Sequence, residues 1–246
     1  MNGALRVALI GAAGRMGRAV CAAAEQRQEV TIAAGVDVGE TIEPAVAASE
    51  VVIDFSHSDA TERNCAVCAR IRKPLVIGTT GQSAEQLRAI QLAAAEIPIV
   101  LAANFSVGVN VLFWLTRQAA ELLGREFDLE IVEAHHRLKK DAPSGTAKRL
   151  AEILCEVRRL DYEEHVAHGR EGMLGERAAD EIGVHAIRGG DVVGDHTVIF
   201  AGRGERLELT HKASGRETFA AGALRAAQWI VGKPAGRYSM EDVLGL

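Results

Sequence analysis

The stretch RVALIGAAGRMGRAV, residues 6–20, joins an apolar run to a glycine-punctuated turn and then to a helical pattern. Leu5–Ile10 reads as a buried strand, and the pattern from Gly14 to Gln26 as a helix. A strand that ends in a glycine turn and opens a helix is the first half of a β-α-β unit. The rhythm continues outward from it. Strands are expected at Thr31–Val36, Val51–Phe55, Leu75–Ile77 and Ile97–Leu101. Helices are expected at Ser58–Arg72 and Ser83–Ala95, with Ser58 and Ser83 as their N-caps. Such alternation predicts an α/β fold, a parallel sheet with helices on both faces.

After Asn104 the rhythm changes. A long helix, Val107–Leu123, precedes a strand at Asp128–Ala134 and a helix at Ser144–Arg159. A polar, glycine-rich segment follows, and then strands at Ile182–Arg188, His196–Phe200 and Leu207–His211. The chain closes on a helix, Thr218–Val231, and a short tail. Strand following strand predicts an α+β second part with a largely antiparallel or mixed sheet. No internal repeat and no low-complexity linker interrupts the 246 residues.

Composition narrows the function. With a formal net charge of −5 and only 4% aromatic residues, the chain is neither a basic nucleic-acid binder nor a platform for stacked bases. The start MNGALRVALIGAAGRMG has no signal-peptide pattern, and no run approaches the ~18 apolar residues of a membrane span. Four sparse cysteines, Cys21, Cys65, Cys68 and Cys155, then fit reduced thiols in a cytoplasm. Cys65-Ala-Val-Cys68 has helical spacing and no second CxxC, so it reads as packing rather than redox or metal chemistry.

The glycines of the opening stretch are Gly11, Gly14 and Gly17. Glycine lets the backbone turn tightly and approach a pyrophosphate, while N–H groups at the helix start face its charge. Arg15 would reinforce that complementarity. Asp37 closes the second strand 20 residues after Gly17, where a carboxylate accepts hydrogen bonds from both adenine-ribose hydroxyls. Val38 follows, and VDVGETIE brings no cation for a 2′-phosphate, so NADH is expected to serve at least as well as NADPH. Two polar clusters, Gly78-Thr79-Thr80-Gly81 and Ala102-Ala103-Asn104-Phe105-Ser106, fall at strand carboxyl ends and would line the nicotinamide side.

A second dense stretch is EAHHRLKKDAPSGTA, residues 133–147. Strand period puts Glu133 and His135 on one face and His136 on the other. Beyond the strand both histidines can approach one cleft. Lys139 follows four residues after His135, and Pro143-Ser144-Gly145-Thr146 opens a helix with Pro143 suited to its first turn. The N–H groups of Gly145 and Thr146, with Lys139 nearby, would hold an anion. A metal site on Glu133, His135 and His136 is disfavoured, because adjacent strand side chains diverge and lysines repel cations. A solvated basic loop accounts for Arg137 and Lys140 but less well for the whole constellation. The pattern suits a pocket for a carboxylate-bearing substrate with an imidazole or ammonium as proton donor.

This stretch resembles the signature of the dihydrodipicolinate reductase (4-hydroxy-tetrahydrodipicolinate reductase) family of bacterial lysine and diaminopimelate synthesis. The likeness extends through GAAGRMG, DFSHSDAT, VIGTTG, AANFSVGVN, REGMLGER, GDVVGDHTVIF and GERLELTHKASGRETFAAGA, nearly the whole chain in order. The resemblance implies that His135 handles a proton and Lys139 donates one. It implies that His136, Gly145 and Thr146, with Ser144 beside them, hold a substrate carboxylate. Cofactor contacts would come from Gly11, Ala12, Ala13, Gly14, Arg15, Met16, Asp37, Gly78, Thr79, Thr80, Ala102, Ala103, Asn104 and Phe105.

By the same resemblance, hydride from the nicotinamide of NADH or NADPH reduces the C=C–C=N system of a cyclic dicarboxylate. The fold implied is a Rossmann-type doubly wound sheet, residues 1–105 and 217–246, with an inserted substrate-binding and oligomerisation domain, 106–216. Two crossings near Ser106 and Arg216 would form a hinge, and members are commonly homotetramers. Val38 and His57 depart from the basic residues some members carry there, and only 13 residues link Asp37 to Val51. Two other readings compete: an aspartate dehydrogenase-like enzyme, which has no need of the second stretch, and a nucleotide-sensing regulator, which lacks a basic DNA-reading helix.

Overall fold

The computed structural model describes residues 3–246. The chain runs β1 (Leu5–Ile10), α1 (Arg15–Glu25), β2 (Val30–Val36), α2 (Glu43–Ala48), β3 (Val51–Asp54), α3 (Thr61–Ile71), β4 (Leu75–Ile77), α4 (Ala84–Ala94) and β5 (Pro98–Leu101). It continues with α5 (Val107–Leu123), β6 (Asp128–His135), α6 (Gly145–Arg158), α7 (Tyr162–His165), β7 (Val166–His168), β8 (Ile182–Arg188), β9 (Gly194–Gly202) and β10 (Glu205–Ala213). It ends with α8 (Glu217–Ile230), β11 (Gly236–Tyr238) and α9 (Met240–Leu244). These elements form two compact units. One comprises the chain up to Val107 together with Arg216–Leu246, the other Gly108–Gly215.

The first unit is a six-stranded parallel sheet in the order β11-β5-β4-β3-β1-β2. Val7 and Leu9 face one layer, packing with Val20 and Ala24 of α1 and Leu224, Ala227 and Ile230 of α8. Ala8 and Ile10 face the other, with Val46 of α2, Cys65 and Cys68 of α3 and Ile90 of α4. Because both faces are covered, the strands read as continuous apolar runs. Each fully buried Leu or Ile contributes about 1.5–3 kcal/mol, so this double layer holds the unit. Cys65 and Cys68 belong to that packing. Burial pushes the Cys65 thiol up to about 12 and raises Cys68 as well, leaving neither as a thiolate.

From β1 the chain passes to β2 on one side and to β3 on the other. That switch point is where open α/β sheets, the Rossmann type among them, bind ligands at the strand carboxyl ends. Gly11 turns there with φ +83, and a Cβ on it would lie 2.6 Å from the Phe55 carbonyl oxygen. Gly17 lies against the same turn, and a Cβ there would meet the Gly11 oxygen at 2.1 Å. Both positions therefore require glycine.

Ser83 caps α4 as expected, in a reciprocal capping box with Gln86. Ser58 does not cap. The extended backbone that a cap needs falls one residue earlier, on His57, whose Nδ1 accepts the Asp59 N–H, and α3 begins only after a short 3-10 turn. Pro143 likewise stands outside the helix it was expected to open, since Ser144 is the N-cap of α6.

The second unit is a mixed five-stranded sheet, β10-β9-β6-β8-β7. β10, β9 and β6 are antiparallel neighbours, whereas β6, β8 and β7 run parallel. Leu150, Ala151 and Leu154 of α6 close over Leu129, Ile131, Val184, Val198 and Phe200. The irregular segment between β7 and β8 is tied to the sheet through Glu130. Its carboxylate accepts from Arg177 Nε at 3.0 Å and Arg170 Nη1 at 3.1 Å, and pairs with His185 Nε2 at 2.8 Å. Among the described residues no helix is long and apolar enough to cross a membrane.

Candidate active site

The central strand β6 alternates, burying Leu129, Ile131, Glu133 and His135 on one face. The first two are core. The last two put a carboxylate and an imidazole at the end of an apolar row. A carboxylate with 0% exposure must be compensated, and Glu133 is. Arg188 of β8 clamps it, with Nη1 donating to Oε2 and Nη2 to Oε1, each at 2.7 Å. The Ser144 N–H donates to Oε1 at 3.0 Å, and His135 Nδ1 lies 2.6 Å from Oε2. Burial by itself would raise the Glu133 carboxyl. The bonds from Arg188, His135 and Ser144 outweigh it and hold the group below its ordinary range.

His196 of β9 completes the cluster. Its ring meets His135 edge to face at a centroid distance of 5.1 Å, and its Nε2 is 3.0 Å from Ser144 Oγ. Burial, reinforced by the neighbouring His135, pushes the His196 imidazole down to about 4, so it stays neutral at neutral pH. Ser144 Oγ also accepts the Ala147 N–H at 3.2 Å, the N-cap bond of α6. One side chain thus joins the buried network to the start of a helix. Gly145 and Thr146 form the next two positions, Gly145 exposed and Thr146 half-buried. An N-terminal turn of this kind is a natural anion site.

The loop between β6 and α6 folds back through Lys139 N–H to His136 carbonyl, 3.0 Å. Lys139 Nζ pairs with Asp141 at 2.9 Å, and its side chain is 20% exposed. Lys139 accordingly holds the Asp141 carboxyl below its usual range. His136 follows the strand half-buried, with its Nδ1 buried and unpartnered among the described residues. Leu138, Arg137 and Lys140 are exposed. Among the described residues no group of three His, Cys, Asp or Glu is placed to hold a metal.

In the other unit, Ala13, Gly14 and Arg15 are exposed, Gly11, Ala12 and Met16 half-buried. Gly14 caps α1 without a side-chain bond, which leaves first-turn N–H groups of an eleven-residue helix without an intrahelical acceptor. Both Asp37 carboxylate oxygens accept the Ala13 N–H at 3.0 Å, so the acidic end of β2 reaches the glycine turn. These features fit a dinucleotide. Thr80 is exposed and Gly78 half-buried, but Thr79 turns its hydroxyl inward to the buried Asp54 at 3.3 Å. Asp54 also takes Ser56 and Asn64, which explains the polar DFSHSDAT run as the lock of a strand end. Ala102 and Ala103 approach the surface, and Asn104 Oδ1 accepts the Ser106 N–H at 2.9 Å. The Phe105 ring packs in the core against Phe55, leaving only its backbone for a ligand.

Family comparison follows the same division. Residues 5–105 match the family model described as dihydrodipicolinate reductase, N-terminus, and residues 108–244 match its C-terminus model. The chain belongs to the dihydrodipicolinate reductase family. Within that family it is 55% identical to the 4-hydroxy-tetrahydrodipicolinate reductase of Akkermansia muciniphila over 242 residues, 98% of each chain. It is 47% identical to that of Pseudoalteromonas atlantica over 264 aligned positions, 98% of this chain and 99% of the other. The dipicolinate-bound dihydrodipicolinate reductase from Paenisporosarcina sp. TG-14 shares the fold, with a TM-score of 0.79 at 23% identity over 96% of this chain and 97% of that one.

Against the family signature, sequence reading left Arg188, His196 and Asp141 without roles. Arg188 stands directly opposite His135 across β6–β8, and His196 opposite Glu133 across β6–β9. The signal was faint. A histidine inside GDHTVIF and an arginine closing a strand look ordinary until strand register is known.

Proposed function

We propose that the chain reduces 4-hydroxy-tetrahydrodipicolinate to tetrahydrodipicolinate with a nicotinamide cofactor, as its relatives' names describe. One observation carries the reading. At the end of β6 and the start of α6 an imidazole and a capped helix start share one clamped carboxylate, with the Lys139 ammonium, paired to Asp141, in the loop that joins them. A cyclic dicarboxylate needs an anion site and a proton source, and this arrangement offers both.

Bound NADH or NADPH supplies the hydride. The glycine turn Gly11–Met16, Asp37, Gly78–Thr80 and Ala102–Phe105 would hold it, in keeping with the uncapped start of α1 and the exposed loop before it. Gly145, Thr146, Ser144 and His136 would bind a substrate carboxylate. Lys139 adds positive charge and a donor. His135 supplies the proton that the reduced ring takes up. In this reading the first unit is the dinucleotide-binding domain, and the second binds substrate and carries a homotetramer interface along its sheet. NADH serves at least as well as NADPH, since Val38 beside Asp37 is fully exposed and uncharged.

The test is nicotinamide absorbance decay when freshly made synthase product is added with either cofactor. Decay with that product and none with aspartate-derived imines supports the assignment. Absence of decay with both cofactors rejects it.

A further inference from the structure

We propose that Glu133 is a positioning residue: clamped by Arg188, it holds the Nδ1 proton of His135 and leaves Nε2 as the atom that exchanges protons with substrate. The inference rests on the proton-handling role proposed for His135 and adds the residue that orients it.

Four contacts converge on the Glu133 carboxylate. Oε1 receives the Ser144 N–H at 3.0 Å and Arg188 Nη2 at 2.7 Å; Oε2 receives Arg188 Nη1 at 2.7 Å and faces His135 Nδ1 at 2.6 Å. An ionised carboxylate is an acceptor only, so the hydrogen of that last bond belongs to Nδ1. A ring that donates to substrate must therefore carry a second hydrogen on Nε2; giving it up leaves the neutral tautomer with its hydrogen on Nδ1, held by Glu133. Arg188 is anchored in turn, donating to the Asp141 and Ile187 carbonyls at 2.8 and 2.7 Å.

The free nitrogen has room because of a glycine. A Cβ built on Gly194 would stand 3.0 Å from His135 Nε2 and 3.4 Å from Cδ2. Glu133 on β6 and His196 on β9 contact the ring; Arg188 on β8 clamps Glu133, His211 on β10 and Lys139 act on His196, and Asp141 joins Lys139 to Arg188. Only Glu133 bonds its Nδ1 among the described residues. The same carboxylate fixes the Ser144 N–H, so one group sets both the imidazole and the helix start.

A Glu133→Gln substitution gives a specific expectation. Arg188 donates at both oxygen positions, so the fixed Ser144 N–H decides: the amide oxygen settles at the Oε1 position, and the NH2 group faces His135 at the cost of the Arg188 Nη1 bond. The ring must then accept at Nδ1 and stay neutral with its one hydrogen at Nε2, so it cannot form the doubly protonated donor. Nitrogen-15 NMR of the labelled whole enzyme reads the tautomer directly. The wild type is expected to show a protonated Nδ1, and E133Q the reverse. In kinetics E133Q is expected to lose about 100-fold in kcat with substrate KM within about 3-fold, the pattern of a misoriented general acid. G194A is expected to keep the Nδ1–H tautomer while kcat falls.

A wild-type neutral ring that carries its hydrogen on Nε2 instead of Nδ1 overturns the proposal, and that measurement needs no variant to fold. E133Q with wild-type kcat also overturns it. H135Q separates this from the reading beneath it. If H135Q keeps full kcat, the proton-handling role itself fails; if H135Q is impaired and E133Q is not, only the role of Glu133 fails.

Discussion

His196 Nε2 stands 3.0 Å from Ser144 Oγ, while His196 Nδ1 is buried with no partner among the described residues. An orphaned N–H costs more than an orphaned lone pair and is rarer in native proteins. The proton of the neutral ring therefore sits on Nε2 and is donated to Ser144. Ser144 Oγ already accepts the Ala147 N–H, so its own hydrogen is left to donate outward, to a substrate carboxylate in the proposed site. Ser144→Ala should raise substrate KM about 10-fold, the loss of one hydrogen bond to a charged group, with a smaller change in kcat. It should also cost about 1 kcal/mol of stability through the lost N-cap. Steady-state kinetics and thermal unfolding separate the two effects, and an unchanged KM would exclude Ser144 from substrate binding.

The buried His196 also makes stability depend on pH. Its folded pKa, lowered to about 4, lies below the ordinary histidine value of 6.5. The unfolded chain therefore binds the proton first as pH falls, and stability declines between about pH 6.5 and pH 4, with no penalty above that window. At 1.36 kcal/mol per unit the loss amounts to about 3 kcal/mol. His196→Gln does not titrate and can still donate to Ser144. The stability advantage of wild type over H196Q, from denaturant titrations at pH 7 and pH 4.5, should shrink on acidification by most of that amount. A constant difference would show that His196 takes up its proton equally in the folded and unfolded protein.

Lys139 lies in the loop before the helix start, and Asp141 holds it in place at 2.9 Å. It has no part in the three hydrophobic cores among the described residues. Lys139→Ala should therefore depress kcat by roughly 10²-fold or more, the usual size of a lost proton donor. Cofactor dissociation constants from fluorescence titration should change little. A mutant with wild-type kcat would remove Lys139 from the mechanism.

What the sequence revealed, and what it hid, follows from the range of the interactions. The alternation in β6 was legible because strand period is local: Leu129 and Ile131 predict that Glu133 and His135 share their face. The partners of those residues were not. Arg188 and His196 arrive more than fifty residues later, and only the β6–β8 and β6–β9 registers bring them opposite. Elements of three to six residues, such as α2, α7, β7, β11 and α9, were missed because so few residues cannot display a period. Ser58 and Pro143 had the right chemistry for a helix start but sat one position from the backbone geometry that uses it. Phe105 lies in a polar cluster by sequence, yet burying its ring against Phe55 outweighs that company.

Cofactor preference turns on the residues after β2. Asp37 directs its carboxylate at the Ala13 N–H, and its own N–H donates to Glu40 at 2.7 Å, so two acidic side chains meet at this corner. Val38 beside them is fully exposed and makes no packing contact that a larger side chain would destroy. A 2′-phosphate brought to this corner would meet negative charge, and residues 38–43 that follow Asp37 bring no cation. Val38→Arg supplies one, and a hydrogen bond to a charged group is worth about 1.5–3 kcal/mol. The ratio of kcat/KM for NADPH over NADH should accordingly rise about 10- to 100-fold, with the NADH value changed little and the fold intact. Addition of Asp37→Ala should weaken NADH most, because that cofactor alone keeps both ribose hydroxyls for the carboxylate. Parallel kinetics with the two cofactors decide the matter: a ratio unmoved by V38R would place the adenine ribose away from the end of β2.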